Sequence, residues 1–211
     1  CGSNKVGMGY RETNWSLPRS LQHIHARQNM FDGTWEKLPS MGWMFVPLVQ
    51  YHGGGADATI EPLREHLDDY KRHLDSCLGY GVQACYRGPR LYDGPETKAM
   101  VIRTITKYKK YRKLLEGDIT HIRRPDGRHI DAIIHTDDAN SGRMMLVAYN
   151  PAQSTQSTTL TLPDALSPYK SIRVIDTDTG KSSNLTPRPN GKFLIDLTVD
   201  GGTMRMLELI Q

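Results

Sequence analysis

The chain has 211 residues, of which 37% are hydrophobic and 24% are charged, and its formal net charge is +4. This composition is that of an ordinary folded protein, with room for one large domain or two small ones. No apolar run is long enough to span a bilayer, and the weak positive charge is not gathered into the basic stripe expected of a nucleic-acid binder. The sequence therefore predicts neither a membrane span nor a nucleic-acid partner.

The chain contains three cysteines, Cys1, Cys77 and Cys85, and this odd count argues against a complete disulfide framework. Cys77 falls on the apolar face of a predicted helix and Cys85 falls in a predicted strand, so we interpret both as packed thiols. The Cys-Gly-Ser start has two interpretations. It is either the acylated residue of a processed bacterial lipoprotein or an arbitrary end of the chain.

The first predicted element is a helix that Ser16 can cap and whose first turn contains Pro18. Apolar residues continue at helical spacing to Phe31. Residues 43–49 then form a nearly unbroken apolar run, which is typical of a strand that is buried on both faces in a parallel sheet. Pro47 within this run lacks an N–H donor, which is unusual for a central strand.

A second helix is predicted to open at Glu61-Pro62 and to continue to Leu78, followed by a strand over residues 82–86. A third helix is predicted over residues 96–115. Its expected buried face consists of Ala99, Ile102, Ile105, Tyr108, Tyr111 and Leu115. Its opposite face is basic, and we interpret that face as solvated.

From Asp118 the hydrophobic period changes from that of a helix to two, which is the period of a β-strand. Turn sequences rich in Gly, Asp, Asn and Pro separate eight short runs. The predicted strands are residues 119–123, 130–135, 144–149, 158–162, 171–175, 182–185, 193–199 and 204–209. Many short strands at this spacing indicate a β-sandwich.

The predicted fold class is therefore α/β followed by all-β. Because closing a (β/α)8 TIM barrel takes eight strands, the first part is interpreted as a partial barrel segment, with a small open α/β layer as the alternative. The predicted domains are 1–117, the end of a barrel, and 118–211, a C-terminal antiparallel β-sandwich. A partial barrel exposes strand edges and helix faces, so we expect self-association or packing on the missing barrel part.

One stretch of the chain resembles a known family. Residues 108–119 read Tyr-Lys-Lys-Tyr-Arg-Lys-Leu-Leu-Glu-Gly-Asp-Ile, and residues 123–128 read Arg-Arg-Pro-Asp-Gly-Arg. This stretch resembles the junction between barrel and sandwich in alpha-galactosidase-like glycoside hydrolases. Residues 10–15, 35–37 and 86–93 resemble an uncharacterised bacterial branch of large secreted proteins of this kind.

The resemblance implies that the chain is the C-terminal portion of a protein that acts on O-glycosidic bonds of carbohydrates. It also implies an extracytoplasmic location, periplasmic or secreted, with lipid anchoring through Cys1 as one form. In the family, the nucleophile and the acid/base are aspartates on earlier and middle barrel strands, and we find no match to either motif. We therefore expect the chain alone to be inactive. The alternative is a non-catalytic carbohydrate-binding or structural module.

Functional residues of βα barrels gather at the carboxyl ends of the strands. There the sequence offers aromatic rings, which stack on sugar faces, and polar groups, which bind hydroxyls or an acidic sugar. The predicted substrate-binding residues are Gln50, Tyr51, His52, Arg87, Arg90, Asp93 and Trp15. For Arg87 and Arg90, a structural salt bridge to Asp93 is the competing interpretation.

Glu12 is the one weak catalytic candidate, because a carboxyl group can act as a general acid or base in glycoside hydrolysis. A surface or ion-pair role is its alternative. His23 and His25 lie two residues apart, unlike a helical zinc pair at a four-residue step. The sequence therefore predicts no metal site, and no cofactor motif is present.

Overall fold

The structure is a computed structural model that describes residues 10–11, 16–34, 36–37, 43–49, 54–137 and 141–211. Its first part is a parallel sheet of three strands with three helices. The strands lie in the order β1 (Tyr10–Arg11), β2 (Trp43–Pro47) and β3 (Gln83–Arg87). The helices are α1 (Arg19–Gly33), α2 (Leu67–Gly79) and α3 (Pro95–Leu115). The predicted alternation of strands and helices is confirmed.

Local chemistry explains where the helices begin. Pro95 occupies the first turn of α3, where a missing N–H costs no hydrogen bond, and the Thr97 hydroxyl accepts hydrogen bonds from the N–H groups of Asp93 and Gly94. Residues 62–66 form turns, so α2 starts later than the predicted opening at Glu61-Pro62. None of the described helices is long and apolar enough to cross a membrane.

The described strands after α3 all pair in antiparallel fashion. The strands are β4 (Asp118–Arg123), β5 (Asp131–Thr136), β6 (Arg143–Tyr149), β7 (Gln156–Thr161), β8 (Ile172–Asp176), β9 (Ser182–Leu185), β10 (Leu194–Val199) and β11 (Met204–Ile210). Six of them form one sheet in the order β4-β5-β6-β11-β8-β9, and β7 pairs with β10 in a second sheet. All eight predicted strands are confirmed.

The six-stranded sheet is covered on both faces, because successive side chains of a strand point to opposite sides. On β6, Met145 and Val147 belong to an apolar core shared with the three helices. Leu146 and Ala148 belong to a second core, shared with β7 and β10. The helices therefore pack on one face of this sheet and the two-stranded sheet packs on the other, so the α/β and all-β parts share a continuous interior.

The predicted buried face of α3 is wrong at one position. Ile102 is 53% exposed, whereas Ile105, Tyr108 and Tyr111 are half-buried against the first core as expected. The described neighbours of α3 lie on the side of Met100 and Val101, which are buried although the predicted face omits them. The basic face is not wholly solvated either, because Lys107 forms an ion pair with Asp178 at 2.6 Å.

A buried ion pair joins α1 to the large sheet. The Arg27 guanidinium donates to both carboxylate oxygens of Asp131 at 2.9–3.3 Å, and the two side chains are 2% and 0% exposed. Arg27 also donates to the Ser76 hydroxyl at 3.0 Å and lies 4.6 Å from the ring centre of Tyr149. The cluster connects α1, α2 and two strands, so it fixes the helices on the sheet.

Candidate functional site

The carboxyl ends of β2 and β3 meet at one edge of the parallel sheet. Pro47, at the end of β2, has no N–H, but the next two residues take over the pairing. The N–H groups of Leu48 and Val49 donate to the carbonyl of Arg87 at 2.9 and 3.1 Å. Gly88 follows, and a Cβ there would lie 2.7 Å from the Cβ of Leu48. The two strand ends are therefore held in close backbone contact.

The segment that precedes α2 returns to this edge. The carbonyl of Leu48 accepts hydrogen bonds from the Glu61 N–H at 2.7 Å and from the Thr59 hydroxyl at 2.8 Å. This contact places the Glu61 side chain beside the loop that follows β3. We refer to the resulting set of Glu61, Arg87, Arg90, Tyr92 and Asp93 as the strand-end rim.

The main ion pair of the strand-end rim joins Arg90 to Glu61. Two parallel hydrogen bonds of 2.9 and 3.1 Å connect the guanidinium with the carboxylate, in the bidentate geometry that suits these groups. The Arg90 side chain is 55% exposed and that of Glu61 is 15% exposed. The predicted salt-bridge alternative named Asp93 as the partner of Arg90, whereas the ion pair found is with Glu61.

Asp93 ties the turn that precedes α2 to the first turn of α3. Its carboxylate accepts hydrogen bonds from the Arg64 N–H and from the Thr97 hydroxyl, both at 3.1 Å. Burial opposes ionisation of this group, but the hydrogen bonds from Arg64 and Thr97 outweigh it, and the pKa of Asp93 lies below its usual value. Asp93 is therefore ionised at neutral pH, and its role in the fold is to position the start of α3.

Around these charges the rim presents apolar surface. Tyr92 is 44% exposed and Leu91 is 40% exposed, and the Lys98 ammonium lies 5.4 Å from the centre of the Tyr92 ring. The Tyr70 hydroxyl fixes this loop by donating to the carbonyl of Leu91 at 3.0 Å. The Arg87 side chain is half-buried at the end of β3. An exposed ring and an exposed guanidinium in the same loop can contact a sugar face and its hydroxyls.

The structure thus brings together three of the seven predicted substrate-binding residues: Arg87, Arg90 and Asp93. The others, namely Trp15, Gln50, Tyr51 and His52, lie outside the described residues, as does the catalytic candidate Glu12. Sequence reasoning missed Glu61, because it lies 29 residues from Arg90 and no local spacing relates the two. Within the described residues, no group of three or more His, Cys, Asp or Glu side chains can hold a metal ion.

No protein-family model matches the chain, and neither does any curated protein. Solved structures do match it. The galactosidase domain of the alpha-galactosidase-sucrose kinase AgaSK aligns with a TM-score of 0.57 and 15% identity, over 89% of this chain and 24% of that one. Alpha-galactosidase I from Mortierella vinacea aligns with a TM-score of 0.54 and 16% identity, over 90% and 44%.

A third structure, a β-L-arabinopyranosidase from Geobacillus stearothermophilus in complex with arabinose, aligns with a TM-score of 0.53 and 10% identity, over 81% of this chain and 38% of that one. The chain therefore spans less than half the length of each of these three enzymes. At such low identity the likeness shows the fold alone. The chain has the fold of a part of the alpha-galactosidase-like glycoside hydrolases, as the helix-to-strand junction at Gly117-Asp118 predicts.

Proposed function

We propose that this chain is the C-terminal portion of a glycoside hydrolase-like protein that acts on O-glycosidic bonds of carbohydrates. In this proposal, residues 1–117 are the end of a (β/α)8 barrel and residues 118–211 are its antiparallel β-sandwich. The observation that carries the proposal is the fold match over about 90% of the chain to enzymes that are more than twice as long. The parallel strands, each followed by a helix, agree with that assignment.

The strand-end rim is the proposed substrate-facing edge of this portion. It lies at the carboxyl ends of parallel strands, where βα barrels carry their functional residues. Arg90 uses one side of its guanidinium to bind Glu61, and more than half of the side chain remains exposed for a second partner. Tyr92 offers its ring in the same loop. We assign Arg90 to hydroxyl or carboxylate binding and Tyr92 to stacking on the sugar ring.

The two carboxylates of the rim are poorly suited to perform the hydrolysis. Glycoside cleavage needs one protonated carboxyl group as the acid and one carboxylate as the base or nucleophile. Both oxygens of the Glu61 carboxylate are occupied by Arg90, and the pKa of Asp93 is lowered by its hydrogen bonds. The proposal therefore gives this portion substrate positioning and support, and it places the catalytic pair elsewhere in the protein.

Because the Glu61 and Asp93 carboxylates are both held by other residues, a second candidate function is also favoured. A non-catalytic carbohydrate-binding module needs the same exposed ring and guanidinium but no catalytic carboxyl group. The two functions differ in one result, which is whether the protein that contains this chain cleaves a glycoside or only binds it.

The test uses 4-nitrophenyl glycosides of α-galactose and β-L-arabinopyranose. We expect the chain alone to release no nitrophenol and the full gene product that contains it to release nitrophenol. Release by the chain alone would contradict the assignment of the catalytic pair to another part of the protein. Binding of these glycosides by the full product without any release would instead support the carbohydrate-binding module.

A further inference from the structure

A cavity lies between α2, α3 and β11, away from the strand-end rim. Its volume is about 350 Å³, which lies in the range of small-molecule sites, roughly 300–1,000 Å³. It shares no residue with the rim. The lining side chains used below are Lys71, Asp75, Leu78, Arg103, Lys107, Leu115, Asp178, Met204 and Met206.

The floor of the cavity is aliphatic and sulfur-rich. Leu78, Leu115 and Met206 are all at most 4% exposed, and Met204 beside them is half-buried. Methionine side chains are flexible and polarisable, so they adapt to apolar groups of different shapes. This floor suits an alkyl or similarly apolar tail.

The charged groups of the cavity leave one positive charge unmatched. Lys71 forms an ion pair with Asp75, and Lys107 forms an ion pair with Asp178 at 2.6 Å. The exposed guanidinium of Arg103 forms no hydrogen bond or ion pair with any other described residue. Its guanidinium therefore retains all of its donors for an anion, which it can bind in bidentate fashion.

We propose that this cavity binds a small amphipathic anion, a free carboxylate with a short alkyl tail. The tail lies on Leu78, Leu115, Met204 and Met206, and the carboxylate pairs with Arg103. Burial of the tail supplies affinity in proportion to the apolar area removed from water, and the unmatched guanidinium selects the sign of the head group. Because α2, α3 and β11 all contribute, the bound ligand connects the helices to the large sheet.

The test compares octanoate with octyl β-glucoside, which has the same tail and a neutral sugar head. We expect octanoate to bind saturably below its micelle concentration in calorimetry and to shift the methyl NMR signals of Met204 and Met206. Octyl glucoside, followed through the same Met204 and Met206 signals so that sugar binding at the strand-end rim is not counted, is expected to bind the cavity at least about tenfold more weakly. Equal affinity for the two ligands, or shifts confined to other methionines, would overturn the proposal.

Two variants locate the head group. Arg103→Gln should weaken octanoate binding by about three- to tenfold, because the lost ion pair is partly screened by solvent. Arg112→Gln removes an exposed arginine of the same helix that lies outside the cavity, and it should leave the affinity unchanged. If Arg103→Gln binds octanoate as tightly as the parent chain, the carboxylate does not pair with Arg103 and the proposal fails. Neither variant touches the strand-end rim, so the result is independent of the hydrolase assignment.

Discussion

Two of the bidentate arginine–carboxylate pairs among the described residues lie in opposite environments. Arg27 and Asp131 are 2% and 0% exposed, between α1 and the large sheet. Arg90 and Glu61 are 55% and 15% exposed, at the strand-end rim. The chemical groups are alike, and the distances, close to 2.9 Å, are alike as well. The buried pair therefore stabilises the fold, whereas the exposed pair remains accessible from solvent.

The Arg27 guanidinium stays charged in the interior because the Asp131 carboxylate compensates for the loss of water. Burial disfavours the charge of Arg27, but the Asp131 carboxylate outweighs that effect and raises the pKa of Arg27. The Arg27 guanidinium also donates a hydrogen bond to the Ser76 hydroxyl, and it lies over the ring of Tyr149. Removing one partner of such a pair leaves an uncompensated charge inside the protein, which costs far more than breaking a solvated pair.

The largest expected effect is that of Arg27→Met. It should lower the free energy of unfolding by about 3–5 kcal/mol, because the Asp131 charge is left buried and unpaired. Urea denaturation followed by circular dichroism measures the change. The matched control Arg112→Met alters an arginine that is 60% exposed on α3, and it should cost less than about 1 kcal/mol. A loss as small as that of the control would mean that the buried pair does not hold the helices on the sheet.

The second largest expected effect is a fall in stability at low pH, caused by the buried side chain of His135. His135 is fully buried, and its Nε2 lies 2.7 Å from the carbonyl of Gly79. Burial lowers the pKa of His135 to about 4, although hydrogen bonds to the Gly79 and Gly117 backbone act in the other direction. The unfolded chain binds this proton near pH 6.5, so the unfolded state gains protons first as the pH falls.

The contribution of His135 to stability is therefore complete above about pH 6.5 and declines as the pH falls toward 4. About 2 kcal/mol should be lost through this group between about pH 7 and pH 5. Urea midpoints at both pH values, for the parent chain and for His135→Gln, isolate its share from those of the other acid-sensitive groups. Equal pH slopes for the two proteins would show that His135 titrates normally in the folded state.

The smallest expected effect on stability belongs to the exposed pair. Glu61→Gln removes the charge that holds Arg90 but leaves a side chain of similar shape, and solvent screens what is lost. We expect its urea midpoint to match that of the parent chain within the error of the measurement. A midpoint as low as that of Arg27→Met would place the strand-end rim among the elements that hold the fold.

The elements of this fold could be predicted from sequence because their signals are local. The third helix is predicted over residues 96–115 and found at Pro95–Leu115, and β9 is found at its predicted residues. Periodicity of two or of 3.6, together with turn residues, is sufficient for that purpose. The faces of the helices were harder to predict. Ile102 is exposed although it follows the apolar pattern, because its position relative to other elements depends on packing that no window of sequence contains.

The partners of the charged groups could not be predicted for the same reason. Arg27 and Asp131 are 104 residues apart, and Arg90 and Glu61 are 29 residues apart. No spacing rule spans such separations, and an arginine in a helix is usually a surface residue. The sequence does predict that Arg87, Arg90 and Asp93 lie at or just after the end of β3, and it does so without their partners.

The role of the strand-end rim in substrate binding is tested by kcat/KM of the full gene product that contains this chain, toward the 4-nitrophenyl glycoside that it cleaves best. We expect Arg90→Ala to lower kcat/KM by about tenfold or more with an unchanged urea midpoint, and Arg112→Ala to alter neither quantity. Equal kcat/KM values for the two variants and the parent would contradict the assignment of the strand-end rim to the substrate.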